Sequence, residues 1–95
     1  MIFCRNPAEI LRVVSKIMEI PVERIMVRRR GDVTRGIAAK MLSQFGGLSN
    51  REIAEQIGLR SGSTVSWQIQ KANRMARENQ KIQQIIQSIE REISR

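Results

Sequence analysis

Apolar residues recur every three or four positions in successive blocks along this chain, and no block alternates apolar with polar as a half-buried strand would. The first block opens on Asn6-Pro7-Ala8-Glu9, a capping residue, a proline at the first helical position and a glutamate at the third. Ile10, Val13, Val14, Ile17 and Met18 then give that helix one apolar face. Pro21 ends it and opens a short helix over Val22 to Met26, after which Arg28-Arg29-Arg30-Gly31 interrupts the period as a basic loop.

Asp32 is expected to cap a third helix carrying Ile37, Ala38, Met41, Leu42 and Phe45, which Gly46-Gly47 stops. Ser49-Asn50-Arg51-Glu52 has the form of a capping box and opens a short helix with Ile53, Ala54 and Ile57 inward and Gly58 as its stop. Another helix starts near Ser61 to Ser63, and its Val65, Ile69, Ala72 and Ala76 keep the helical period. Asn79 either caps a last helix bearing Ile82, Ile85, Ile86, Ile89 and Ile93, or lies within one continuous helix, since no Gly or Pro separates the two. The expected fold is therefore all-α, one domain over residues 1–95 with about six helices.

Composition narrows the chemistry. The 95 residues contain no His, no Tyr and one Cys, Cys4. Within one chain this inventory cannot build a zinc site of Cys and His type, a Ser-His-Asp or Cys-His nucleophile pair, a tyrosine nucleophile or a histidine base. The expectation is a protein that is not an enzyme, with no cofactor and no metal. A lone cysteine excludes an internal disulfide, and with no signal peptide or membrane-spanning apolar run it points to a reducing cytoplasm.

The net charge of +8 is unevenly placed. Residues 28–77 hold ten Lys and Arg against Asp32, Glu52 and Glu55, whereas the other 45 residues hold seven basic and six acidic side chains. A merely solvated surface would mix its signs throughout, so the middle of the chain reads as an electrostatic footprint for a polyanion.

Two helices joined at Gly58, the first barely two turns long, form a helix-turn-helix over residues 49–77, in which the first helix braces and the second enters the major groove of DNA. At about 100° per residue, Ser63, Thr64, Trp67, Gln70, Lys71 and Arg74 lie opposite the apolar positions of the second helix. Trp67 either packs on the terminal helix or a second copy, or turns outward to meet sugar or a thymine methyl group. Ser63 and Thr64 either cap the helix or donate to phosphate and base edges. Arg28, Arg29 and Arg30 have the placement of a minor-groove arm, with an ordinary solvated or membrane-attracted cluster as the plainer reading. A membrane partner is disfavoured because these arginines lie in a loop.

These residues resemble the C-terminal DNA-binding domain of the bacterial replication initiator DnaA, from about Ile10 to Ile93. The resemblance is carried by Arg35-Gly-Ile-Ala-Ala, Leu48-Ser-Asn-Arg-Glu-Ile-Ala, Ile57-Gly-Leu-Arg60, Ser63-Thr64-Val65 and Lys71. It implies a six-helix fold similar to the Trp repressor's, with the basic loop in the minor groove and the second helix of the motif in the major groove. By matching position, Arg60, Thr64 and Lys71 would hold phosphates, Ser63 would approach a base, and Ser49, Asn50 and Arg51 would lie near the backbone. Where the family has an Asp-His pair that reads bases, this chain has Ser61-Gly62. Poor preference for the initiator's usual box is therefore expected, with any new preference coming from Ser61, Ser63, Trp67 or Gln70. Such degenerate domains look like those appended to some transposases associated with repetitive extragenic palindromes.

The expected partner is double-stranded DNA, joined by a transposase catalytic domain or another chain, in the bacterial cytoplasm at the nucleoid. The rival readings are a protein adaptor using Trp67 and the isoleucine-rich tail, and an RNA-binding module, for which stacking aromatics are few.

Overall fold

A computed structural model describes residues 6–25, 33–59 and 61–94. Among them are five helices of at least two turns, α1 (Pro7–Met18), α3 (Thr34–Phe45), α4 (Asn50–Ile57), α5 (Gly62–Glu78) and α6 (Gln80–Ser94), and a single helical turn, α2 (Val22–Ile25). No described residue is in a strand. The fold is all-α.

Local signals set most of the helix ends. The Asn6 side chain accepts from the Ala8 N–H at 2.9 Å, and Pro7 occupies the first turn, where its missing N–H costs nothing. Glu19 ends α1 in the left-handed conformation, and the Ser15 hydroxyl donates to the Ile20 carbonyl, fixing the bend ahead of Pro21. In α4 the capping box is complete: Ser49 Oγ accepts from the Glu52 N–H at 3.2 Å, and Glu52 Oε1 accepts from the Ser49 N–H at 3.1 Å. The backbone bond from Ser49, then its side-chain bond, hold the Glu52 carboxyl below its ordinary pKa.

Asn79 settles the question of continuity. Its backbone is extended, at φ −132° and ψ 110°, its N–H donates to Met75, and its Oδ1 accepts from the Lys81 N–H at 3.0 Å. One residue thus closes α5 and caps α6, giving two helices. The start of α3 differs from expectation: Val33 is its N-cap and supplies no side-chain bond, while Asp32 lies outside the described residues, as does Met26 of the expected short helix.

α3 is the centre of the packing. The sequence pattern gives it one apolar face, yet Thr34, Gly36 and Ala39 are buried as well as Ile37, Ala38, Met41 and Leu42, and Phe45 is only half-buried. Small side chains let neighbours approach on several sides. At Gly36 a Cβ atom would stand 2.5 Å from the Gln68 carbonyl oxygen and 2.9 Å from Ala72 Cβ, so α5 crosses α3 where a side chain is missing. α6 buries Ile82, Ile86, Ile89 and Ile93 against its neighbours, chiefly α1 and α5. A fully buried isoleucine contributes roughly 1.5–3 kcal/mol, so this stripe is a main anchor of α6. The described residues share one buried cluster, and their Cα radius of gyration, 12.0 Å, is that of a packed chain of this length.

Candidate functional site

α4 and α5 are separated by the four residues 58–61. Gly58 takes the left-handed conformation, φ 72°, and the Leu59 N–H donates to the Ala54 carbonyl at 2.8 Å, which turns the chain sharply out of α4. The first turn of α5 is then docked on the first turn of α4. Asn50 Nδ2 donates to Ser66 Oγ at 2.9 Å, and a Cβ on Gly62 would lie 3.1 Å from Asn50 Cβ. The inner side of α5 is secured by Val65 and Ala72, both fully buried, with Ile69 and Ala76 half-buried beside them.

That anchoring fixes what α5 presents outward. Ser63, Trp67, Gln70 and Arg74 are exposed, Thr64 and Lys71 are half-buried at the margin, and Arg77 is exposed two turns beyond Gln70. Helical geometry sets Ser63, Trp67, Gln70, Arg74 and Arg77 within an arc of about 80°, along roughly 21 Å of helix. A groove of about 380 Å³ runs along this face, lined by Trp67, Gln70, Lys71, Asn73, Arg74 and Arg77 without any acidic side chain. Trp67 is 54% exposed, the one large hydrophobic residue so exposed among those described. Lys71 Nζ lies 5.3 Å from the centre of its ring, a cation–π contact that steadies both groups outside the core.

Trp67→Ala is accordingly expected to shift the melting midpoint little, whereas truncating a buried aromatic costs about 3–5 kcal/mol. A loss of that size in thermal melts followed by circular dichroism would return the ring to the core.

Several other expected site residues are engaged within the protein. The Ser61 side chain is the N-cap of α5: Oγ accepts from the Thr64 N–H at 3.4 Å and lies 3.1 Å from Thr64 Oγ1. Capping of α5 thus falls to Ser61, not to Ser63 or Thr64, and Ser61 is correspondingly less available as a new source of base preference. Ser49 is occupied by its capping box, and Asn50 by Ser66, while Arg51 is exposed. Arg35 is half-buried and donates from Nε to the Ile25 carbonyl at 3.2 Å, which ties α3 to α2. Arg28, Arg29, Arg30 and Arg60 lie outside the described residues. Arg77 shares this face by its angle on the α5 wheel, but it lies one residue past Ala76, where the apolar period of the helix ends.

Comparison with protein families, with characterised proteins and with solved structures finds no match to this chain.

Proposed function

We propose that this chain is a sequence-selective binding module for double-stranded DNA, a Trp-repressor-like helix-turn-helix similar to the DnaA C-terminal domain. α5 enters the major groove and the basic loop at residues 28–31 enters the adjacent minor groove. The module serves to target a transposase or a replication-related protein, in the bacterial cytoplasm, and carries no catalytic activity of its own. The observation that carries this reading is the groove along the outward face of α5, cationic, rich in hydrogen-bonding groups and lined by no acidic side chain, on a helix that closely follows the short α4.

The rival readings have less to stand on. An adaptor using Trp67 and the isoleucine-rich helix keeps the exposed Trp67, but Ile82, Ile86, Ile89 and Ile93, on which it would also rely, are buried. An RNA binder would want a stacking platform, and among the described residues Trp67 is a single exposed ring. No helix among the described residues is long and apolar enough to cross a membrane.

The test is titration of short duplex DNA at two salt concentrations. Affinity is expected to fall steeply with salt, each neutralised phosphate contributing about −0.9 to the slope of log K on log salt. Binding that ignores salt, or no binding to any duplex, overturns the proposal.

A further inference from the structure

A second cleft opens between α3, the C-terminal half of α5 and α6. It holds about 500 Å³ and is lined by Lys40, Asn73, Arg77, Gln83, Gln87 and Glu90, with Ala76 and Ile86 between them. Asn73 and Arg77 also line the groove beside Trp67, so the two depressions meet along α5. Lys40 Nζ donates to Asn73 Oδ1 at 2.6 Å, which holds the ammonium at the wall of the cleft while using one of its three donors. Arg77 is exposed at the junction. The single carboxylate of the lining, Glu90, accepts through Oε2 from Gln44 Nε2 at 2.8 Å, and Gln44 is not part of the cleft.

The chemistry of this lining is donor-rich: two cations and three side-chain amides, which suits an acceptor-only anion. Its position on α5 says which anion. From Ser63 to Arg77 the helix runs roughly 21 Å, whereas the major groove is only about 12 Å wide. With the first turns of α5 among the bases, its last turns lie beyond the groove, against the sugar-phosphate wall.

We propose that Lys40, Asn73 and Arg77 form a second contact with the phosphodiester backbone of duplex DNA, outside the segment that α5 reads. The inference rests on the proposed function and extends it: the module grips the duplex through both ends of one helix. Lys40, placed by Asn73, contributes a point charge, and Arg77 contributes a planar fork for two phosphate oxygens.

The test compares wild type with Lys40→Gln/Arg77→Gln, and with Arg12→Gln/Lys16→Gln as a control that removes the same charge from α1. All are titrated against one duplex of two helical turns, about 20 base pairs, over a range of salt. The cleft variant is expected to flatten the salt slope by about 1.8, the α1 control by close to zero. Lys40→Gln alone changes the cation that lines the cleft but not the α5 groove; it is expected to flatten the slope by about 0.9 with helix content unchanged by circular dichroism. Equal effects from the cleft variant and the α1 control would reduce the cleft to general charge and overturn the inference. An unchanged slope in both cleft variants would also overturn it, while leaving the α5 reading in place. Failure of wild type to bind any duplex would remove the functional reading and the inference together.

Discussion

Gly36→Ala is expected to lower the melting midpoint by roughly 5–15 °C, against the direction that helix propensity alone would give. In the interior of an exposed helix, alanine is favoured over glycine by about 0.8–1 kcal/mol, so a neutral site would gain stability. Gly36 is not neutral, because the added methyl group would meet the Gln68 carbonyl oxygen at 2.5 Å and Ala72 Cβ at 2.9 Å. The first of these is backbone of α5, which cannot rotate away as a long side chain would. Relief requires α3 and α5 to separate, and overpacking of this sort costs about 1–3 kcal/mol or more. Gly36→Val should be worse still. Thermal melts read both effects, and a higher midpoint for Gly36→Ala would show that the two helices do not cross at this glycine.

The second large effect concerns binding and should leave the fold intact. Lys71→Glu with Arg74→Glu is expected to reduce affinity for duplex DNA at least a hundredfold at moderate salt. A hydrogen bond to a charged group is worth about 1.5–3 kcal/mol, and each 1.4 kcal/mol is a factor of ten, before the added repulsion of two carboxylates is counted. Neither side chain belongs to the buried cluster, so circular dichroism should show unchanged helix content. Loss of binding with an unchanged spectrum locates the contact on the outer face of α5. A variant that binds within about threefold of wild type would move the interface elsewhere on the molecule.

The parts of this fold that can be read from sequence are those decided by neighbours in the chain. Asn6-Pro7, Ser49 to Glu52 and Gly58 each act within a turn of their own position, so residue type and spacing suffice to place helix ends there, whereas Asn79 reads equally as a cap or as part of one long helix until its extended backbone is seen. The isoleucines of α6 and the apolar line of α5 are legible for a similar reason, because burial follows the helical period. The centrality of α3 is not legible. Gly36 looks like a weak point in the helix, and Ala39 like a position off its apolar face, until the helices packed against them are known. The same limit applies within the site. A serine or asparagine reads alike whether it faces solvent or another helix, and only the packing distinguishes Ser63, which is exposed, from Asn50, which is bonded to Ser66. Lys40 and Asn73 are 33 positions apart in the chain, so no local pattern could have paired them across the second cleft.

The contact between Gly62 and Asn50 bears on the proposed function. If the proposed resemblance holds, position 62 is a base-reading position; here a Cβ would sit 3.1 Å from that of Asn50, so the neighbour would have to give by a few tenths of an ångström. A side chain at 62 therefore asks for a shift of a few tenths of an ångström at Asn50 or at the head of α5, the place that the Asn50–Ser66 bond holds together. Under the proposed function, a side chain placed at 62 to read bases is coupled to the residue at 50, so a larger residue at 62 should be better tolerated with a smaller one at 50 than alone.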